Sequence, residues 1–209
     1  IDGGMANQIA QYAAYGVLHF SRQFNIAARQ QADARWTEQP FQYQPNFSVG
    51  VLGLGALGQH CAQTLAQLGY RTLAWSRKTR PDWEIDTFTG VEQLEAFLSE
   101  LDALVCILPG GDGTRHLIDA TRLSQLKSGA IVINCGRGEV IETDALVAAL
   151  TSGHLGGALL DVFEHEPLPT DHPLWTAPNT LLTPHIAAKT LPEEAVIQFA
   201  DYVRQHPQT

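Results

Sequence analysis

Three residues of this chain, Arg137, Glu166 and His185, could do chemistry together, and each comes shortly after an apolar run typical of a strand. The guanidinium of Arg137 stays charged at any working pH, so it can grip a carboxylate and polarise a neighbouring carbonyl. The imidazole of His185 can give and regain a proton near neutral pH. A Glu166 carboxylate beside it would favour the imidazolium and fix which nitrogen carries the exposed proton. Because these residues lie downstream of the glycine turn Gly53-Leu54-Gly55-Ala56-Leu57-Gly58, the ordered set predicts hydride-transfer chemistry.

The segments around these residues resemble the D-isomer-specific 2-hydroxyacid dehydrogenase family, and the resemblance covers nearly the whole chain. They are Asn134-Cys135-Gly136-Arg137-Gly138, Asp161-Val162-Phe163-Glu164-His165-Glu166-Pro167 and Thr183-Pro184-His185-Ile186-Ala187. The resemblance implies that Arg137, Glu166 and His185 are catalytic, and that Arg137 and His185 also contact substrate. Because the family's Glu stands directly before Pro, His165 is interpreted as solvent-facing or structural. Lys189 and Leu191 depart from the family pattern of an apolar residue and an Arg, which leaves the preferred substrate side chain open.

A glycine turn, Gly53-Leu54-Gly55-Ala56-Leu57-Gly58, follows the apolar run Val49-Gly50-Val51-Leu52. The first glycine permits a tight turn, the second lets backbone amides approach a pyrophosphate, and the third lets the next helix pack closely on the sheet. The pyrophosphate would then lie at the positive end of that helix. The turn predicts a dinucleotide site formed by Gly53, Gly55, Ala56, Leu57 and Gly58.

The end of the second strand favours NADP(H) over NAD(H). A carboxylate there would accept hydrogen bonds from the 2'-hydroxyl of NAD, but this chain has Ser76-Arg77-Lys78-Thr79-Arg80. Ser76 can hydrogen-bond a 2'-phosphate, and Arg77 and Lys78 can neutralise it. The family resemblance adds Leu108, Pro109, Cys135 and Asp161 as cofactor contacts, the last near the nicotinamide carboxamide. A helix cap or a structural hydrogen-bond acceptor remains the alternative for Asp161.

The resemblance also bears on the substrate. The Gly-Arg-Gly triplet, the strand end Trp75-Ser76-Arg77 and the segments Glu166-Pro167-Leu168-Pro169 and Pro173-Leu174-Trp175 are most similar to the glyoxylate/hydroxypyruvate reductases of the family. Glyoxylate or hydroxypyruvate is therefore the expected substrate. Two alternatives stay open. One is an NAD-dependent D-2-hydroxyacid or phosphoglycerate dehydrogenase, and the other is a dinucleotide-sensing, corepressor-like binding protein.

Short apolar runs alternate with helical patterns from Ser48 onward, which predicts an α/β, Rossmann-type doubly wound parallel sheet. The predicted strands are Val49 to Leu52, Thr72 to Trp75, Leu104 to Leu108, Ile131 to Ile133, Ala158 to Leu160 and Thr180 to Leu182. The predicted helices are Ala56 to Leu68, Val91 to Leu98, Ile118 to Leu126, Asp144 to Leu150 and Pro192 to Val203. Every candidate residue then follows the carboxyl end of a strand, where such sheets bind ligands.

Residues 6 to 30 carry a helical apolar repeat, which predicts one long amphipathic helix followed by an ordered arm. Three domains are expected: an interlobe and dimerisation helix with its arm (1–46), an NADP-binding Rossmann domain (47–188) and the start of a C-terminal helix (189–209). The resemblance implies a homodimer through the 6–30 helix and the cofactor domain. Trp36 would reach the partner's site or serve as an interface anchor.

Nothing in the 209 residues corresponds to the flavodoxin-like substrate lobe of the family, so the chain alone is expected to turn over little substrate. A formal net charge of -9 argues against nucleic acid as a partner. No run approaches the length of a membrane span, which favours a cytoplasmic protein. Cys61, Cys106 and Cys135 lack metal-type spacing and predict reduced, buried thiols, and no metal site is expected.

Overall fold

The computed structural model describes residues 3–40, 43–79 and 84–189, together with Val196 and Arg204. Its centre is a sheet of seven parallel strands. The strands are β1 (Ser48–Leu52), β2 (Arg71–Ser76), β3 (Asp86–Thr89), β4 (Ala103–Cys106), β5 (Ala130–Asn134), β6 (Leu155–Leu160) and β7 (Thr180–Leu182). Their order is β3-β2-β1-β4-β5-β6-β7, so the direction of strand addition reverses between β1 and β4. Loops diverge at that reversal, which is where doubly wound sheets bind ligands.

The structure confirms the six predicted strands and the doubly wound fold, and it adds one strand that the sequence pattern did not reveal. This is β3, an edge strand that pairs with β2 alone. Its sequence, Asp-Thr-Phe-Thr, contains a single large apolar residue, Phe88, and none of its residues is fully buried. An edge strand needs only a few hydrogen bonds and modest burial, so it leaves no apolar run for a pattern search to find.

The described part of the chain contains six α-helices: α1 (Gly3–Ser21), α2 (Phe24–Ala32), α3 (Ala56–Gln67), α4 (Leu94–Ser99), α5 (Ala120–Gln125) and α6 (Thr143–Thr151). α1 and α3 pack on one face, and α4, α5 and α6 pack on the other. Alternate residues of the strands serve the two layers, as in β1, where Val51 faces the first layer and Leu52 the second. Among the described residues, no helix is both long enough and apolar enough to span a membrane.

The prediction of one continuous helix over residues 6–30 is wrong. The helix breaks after Ser21, where Gln23 adopts a left-handed conformation (φ 56°, ψ 32°), and α2 begins at Phe24. α1 buries its apolar face, whereas no residue of α2 is buried. The Gln23 side chain donates to the carbonyl of Pro40 (3.1 Å), which ties the following arm to the break.

Some predictions fall outside the described residues. The predicted helix over 192–203, apart from Val196, lies there, as do Leu191 and Arg80. The domain limits placed at 46/47 and 188/189 stay predictions. The remaining helices agree with the sequence pattern to within a few residues, although the one predicted from Val91 begins as a 3-10 turn, Val91–Gln93, before α4.

Candidate active site

His185 and Glu166 form a direct hydrogen bond, 2.8 Å from Nδ1 to Oε2. His185 stands in the loop after β7, and Glu166 stands in the loop after β6. The other carboxylate oxygen of Glu166 accepts from the backbone amide of Phe163 (3.0 Å). Because an ionised carboxylate can only accept, Nδ1 must carry a proton. The ring is 48% exposed, so Nε2 is left to face an incoming ligand.

The electrostatics of Glu166 link it to Arg137 as well. Partial burial opposes its ionisation, yet the hydrogen bonds from His185 and from the Phe163 amide, with the positive charges of His185 and Arg137, hold the pKa of Glu166 below its ordinary value. Glu166 is therefore a carboxylate at neutral pH. Since the charge of Arg137 acts on it, the three residues predicted to be catalytic do share one region of the molecule.

Arg137 follows β5 in a turn held by the side chain of Asn134. The amide oxygen of Asn134 accepts from Gly136 N (3.2 Å), and its nitrogen donates to the carbonyl of Arg137 (3.1 Å). A Cβ on Gly136 would lie 2.7 Å from the carbonyl oxygen of Leu108, and one on Gly138 would overlap the backbone of Phe163. Close packing against two neighbouring loops therefore explains the Gly-Arg-Gly triplet.

The Arg137 side chain is exposed, and its Nη1 donates to the carbonyl of Gly136 (2.7 Å). In the described part of the chain, no carboxylate forms an ion pair with this guanidinium. The group keeps donors that an anionic ligand can use.

Asp161, at the end of β6, organises the loop that carries His185. It is 1% exposed, and its Oδ1 accepts from the amide of Ile186 (2.8 Å) and the hydroxyl of Thr183 (2.6 Å), while Oδ2 accepts from the amide of Ala187 (2.7 Å). His185 N also donates to the carbonyl of Asp161 (2.9 Å). The structural reading of Asp161 is thus correct, and its predicted contact with the nicotinamide carboxamide stays a prediction.

The acid–base pair opens onto a cavity of about 600 Å³. Glu166 and His185 supply its polar wall, and Phe163, Leu168 and Trp175 belong to its apolar lining. A small polar ligand could be oriented by the charged groups, while the apolar wall limits contact with water.

The glycine turn has the shape that a dinucleotide requires. Gly53 has φ +113°, a conformation that side chains disfavour, and a Cβ on Gly58 would overlap the carbonyl oxygen of Gly53. A Cβ on Gly55 would meet nothing within 4 Å, so this part of the turn faces open space. No side chain caps the N-terminus of α3, which begins beside Gly55. These residues fit a pyrophosphate held by the first amides of the helix.

The residues predicted to select the cofactor follow β2. Ser76 is buried, and its hydroxyl donates to the carbonyl of Lys78 (2.5 Å), whereas Arg77 and Lys78 are exposed. Nη1 of Arg77 lies 3.1 Å from where a Cβ on Gly113 would stand, so its guanidinium leans towards the loop after β4. The positive charge of Arg77 therefore lies towards the loop after β4, next to the reversal of strand order between β1 and β4.

The other predicted cofactor residues differ in exposure. Ala56 and Pro109 are exposed, Leu57 is half-buried, and Leu108 is buried with its side chain directly beneath Gly53.

The Cys135 thiol points at the carbonyl of Cys106 (3.7 Å), and burial raises its pKa well above the ordinary value. All three cysteines are buried free thiols, as predicted. Among the described residues, no three His, Cys, Asp or Glu side chains are grouped to hold a metal ion.

Sequence reasoning assigned no role to a polar network beside the site. Glu164 bonds to Nε2 of His116 (3.2 Å) and accepts from the backbone amide (3.2 Å) and hydroxyl (2.7 Å) of Thr143. His165 is exposed, in agreement with its predicted position. The partners of Glu164 are 48 and 21 residues away along the chain, and no motif joins them. Only the position of Glu164 next to the catalytic motif could have drawn attention to it.

A doubly wound parallel sheet with this turn at its first strand defines a dinucleotide-binding domain, and beyond its strand ends lie the hydrogen-bonded pair His185–Glu166 and the cation Arg137. The chain belongs to the D-isomer specific 2-hydroxyacid dehydrogenase family, because the model of that family's NAD binding domain matches residues 15–187.

Solved structures agree with this assignment. A D-isomer specific 2-hydroxyacid dehydrogenase from Xanthobacter autotrophicus, in complex with NADPH and MES, is 39% identical over 98% of this chain and 84% of its own, with a TM-score of 0.94. A family member from Klebsiella pneumoniae is 39% identical over 99% of this chain and 66% of its own, with a TM-score of 0.93.

The NADPH-dependent glyoxylate/hydroxypyruvate reductase of Sinorhizobium meliloti, in complex with NADP and sulfate, is also similar. It is 30% identical over 97% of this chain and 65% of its own, with a TM-score of 0.90. The present chain thus spans about two thirds of the length of this relative and of the Klebsiella protein.

Proposed function

We propose that this protein reduces a small 2-oxo acid, glyoxylate or hydroxypyruvate, to the 2-hydroxy acid, with NADPH as the reductant. The observation that carries the proposal is the His185–Glu166 pair, which opens onto a cavity. The charge of Arg137 contributes to lowering the pKa of Glu166, and no carboxylate of the described residues forms an ion pair with Arg137. One group can supply a proton and another can bind an anion. A 2-oxo acid needs both.

Each catalytic side chain has a separate task. Arg137 binds the substrate carboxylate and draws electron density from the adjacent carbonyl. His185 gives the carbonyl oxygen a proton from Nε2, and Glu166 holds Nδ1 so that the ring presents this nitrogen. When bound, NADPH supplies the hydride. Because His185 is half exposed, its ring regains a proton from solvent before the next turnover.

The preference for NADPH rests on the end of β2. Arg77 and Lys78 are exposed cations, and the described part of this turn contains no carboxylate to repel a 2'-phosphate. The Ser76 hydroxyl donates to the carbonyl of Lys78, so it has to turn away from that carbonyl to donate to the phosphate. The Xanthobacter and Sinorhizobium relatives were solved with NADPH and NADP respectively. The remaining cofactor contacts proposed are Gly53, Gly55, Ala56, Leu57, Gly58, Leu108, Pro109, Cys135 and Asp161.

The substrate assignment is tested by a panel of 2-oxo acids with NADPH on the full-length protein. We expect the highest kcat/KM for glyoxylate or hydroxypyruvate. The reaction rate is measured from the loss of NADPH absorbance. A clear preference for a longer or phosphorylated 2-oxo acid would refute the substrate and favour another branch of the family. No reduction of any 2-oxo acid would refute the proposed activity itself.

The cofactor assignment is tested by titrating NADPH and NADH separately while following nicotinamide fluorescence. Arg77→Ala should weaken NADPH binding by about 10- to 150-fold, since one charge-assisted hydrogen bond is lost, and should leave NADH binding nearly unchanged. Lys127→Ala is the matched control, because Lys127 pairs with Asp102 at the amino edge of the sheet (3.0 Å). An NADH preference in the unmodified protein would overturn the assignment.

We also propose a cytoplasmic homodimer formed through α1, α2, the arm and the cofactor domain. Apolar side chains are exposed along this region: Tyr15 by 51%, Phe24 by 53% and Trp36 completely. Such exposure is costly in water and is typical of an interface. The Trp36 side chain is fully exposed in its own chain. In the proposed dimer it either anchors the interface or reaches the partner's cavity.

A further inference from the structure

One face of α1 contacts both ends of the loop that carries His185. Gln8 and Tyr12 lie four residues apart, so their side chains project from the same side of the helix. Gln8 bonds to Lys189 beyond the loop, and Tyr12 bonds to Thr183 before it. Two residues of one rigid helix therefore bracket the proton donor.

The contact made by Gln8 fixes both polar groups of one residue. Its side-chain nitrogen donates to the carbonyl of Lys189 (3.0 Å), and its side-chain oxygen accepts from the amide of Lys189 (2.9 Å). Both bonds are made by the planar side-chain amide of Gln8. Rotation or displacement of the backbone at Lys189 would therefore break both of them.

The contact made by Tyr12 begins a chain of hydrogen bonds that ends on Asp161. The Tyr12 and Thr183 hydroxyl oxygens are 2.6 Å apart, and Thr183 donates to Oδ1 of Asp161, also at 2.6 Å. Thr183 has a single hydroxyl proton and donates it to the carboxylate, so Tyr12 must be the donor to Thr183. Burial raises the pKa of Tyr12 above its ordinary value, so the phenol keeps the proton that this order requires.

The loop needs such support because of the backbone at His185. Its φ of 54° lies in the left-handed region, which a histidine occupies only when surrounding contacts enforce it. The enforcing contacts are the amides of Ile186 and Ala187 donating to Asp161. If the Asp161 carboxylate moved, the backbone at Ile186 and Ala187 would move with it, and the His185 imidazole would lose its orientation towards Glu166.

We infer that Gln8 and Tyr12 are positioning residues, which act from α1 through Lys189, Thr183 and Asp161 to hold His185 in its proton-donating orientation. α1 also reaches the cofactor side, because Asn7 bonds to His60 of α3 (2.7 Å), the helix that begins at the glycine turn. The same helix thus holds the proton donor and the cofactor helix at a fixed separation. The effect on turnover rests on the proposed function, whereas the effect on the loop does not.

The loop itself is tested by amide hydrogen exchange at Ile186 and Ala187 in the full-length protein. Tyr12→Phe should speed exchange at these two amides by about 2- to 10-fold, the effect of one lost hydrogen bond, and Gln8→Ala, which removes two, should speed it by at least as much. Thr183→Val should do the same, and Thr183→Ser, which keeps the hydroxyl, should not. Tyr70→Phe is the control, because it removes a buried hydroxyl pair with Ser21 of the same helix (2.7 Å) far from the loop.

Turnover supplies the second readout, measured with whichever 2-oxo acid the unmodified protein reduces. Tyr12→Phe should lower kcat about 2- to 10-fold and leave the KM for NADPH within about twofold, because only the orientation of the acid changes. Unchanged exchange in both Tyr12→Phe and Thr183→Val would overturn the inference, as would faster exchange with unchanged kcat. If the unmodified protein reduces no 2-oxo acid, the proposed function fails and exchange alone decides the positioning role.

Discussion

His185, the proposed proton donor, has a left-handed backbone conformation (φ 54°) that costs a non-glycine residue about 1 to 3 kcal/mol. The cost is offset at a single buried residue, Asp161, whose carboxylate accepts from the amides of Ile186 and Ala187. The side chain of His185 is then held from outside by Glu166. Two different carboxylates therefore fix the residue, Asp161 through the backbone of the loop and Glu166 through the ring.

Replacing His185 by Ala should lower kcat for 2-oxo acid reduction by about 100- to 10,000-fold, because the carbonyl oxygen loses its proton donor. Binding of NADPH should change little. Steady-state kinetics on the full-length protein measure the first effect, and nicotinamide fluorescence measures the second. His165→Ala, an exposed histidine in the neighbouring loop, should behave like the unmodified protein. Near-normal turnover in His185→Ala would remove this residue from the acid role.

The elements that surround the site are joined by polar contacts between their loops. Glu164, in the loop after β6, reaches His116 in the loop after β4 and the first residue of α6, Thr143. Glu139 likewise accepts from the amide of Gly111 (2.7 Å) and pairs with Arg115. Three segments that are remote in sequence thus form one surface beside Arg137.

The Glu164 network makes stability depend on pH in a defined direction. Burial opposes ionisation of Glu164, but the hydrogen bonds from Thr143 and His116 and the charge of His116 hold its pKa below the ordinary value of 4.5. A lowered pKa in the folded state stabilises the protein above the unfolded value, and this stabilisation is lost as the pH falls through the folded value.

Glu164→Gln should therefore reduce the free energy of unfolding by about 1 to 2 kcal/mol at neutral pH, and the difference from the unmodified protein should shrink towards about pH 3. Urea unfolding at several pH values measures both. Glu95→Gln, at an exposed position on α4, should show no such pH-dependent difference. A gap that stays constant down to pH 3 would contradict the role of the ionised carboxylate.

At the scale of the whole molecule, α1 and α2 differ in what they bury. α1 packs on the sheet and α3, whereas α2 and the arm carry exposed apolar side chains that no other described part of the chain covers. Arg29 of α2 bonds to Asn179, which precedes β7, whereas His185 follows that strand. The proposed dimer interface on α2 therefore lies away from the loop that Gln8 and Tyr12 support.

Phe24→Asp should convert the proposed dimer of the full-length protein to monomer, because a charge would replace an exposed apolar group in the proposed interface. Sedimentation velocity measures the assembly state. Val91→Asp is the matched control, since Val91 is similarly exposed (58%) but lies on the opposite, edge-strand side of the sheet. A Phe24→Asp protein that remains dimeric at micromolar concentration would exclude this interface.

Much of the fold could be predicted because buried parallel strands leave strong marks. The runs around Val49–Leu52 and Ile131–Ile133 are almost wholly apolar, since both faces of the sheet are covered. β3 and the break at Gln23 could not be predicted, because an edge strand needs little apolar area and the break contains neither Gly nor Pro. The position of β3 and the break at Gln23 both depend on which surfaces the rest of the folded chain offers for packing.

The sequence by itself determined the glycine turn, the parallel sheet and the residue types of the site, because local spacing and strand ends dictate these. Only the tertiary structure decided that Asp161 holds the His185 loop, that Glu164 joins His116 to Thr143, and that Gln8 and Tyr12 bracket the loop from α1. The physical reason is distance along the chain. Tyr12 and Thr183 are separated by 171 residues, and a hydrogen bond between them leaves no periodicity or motif in either segment.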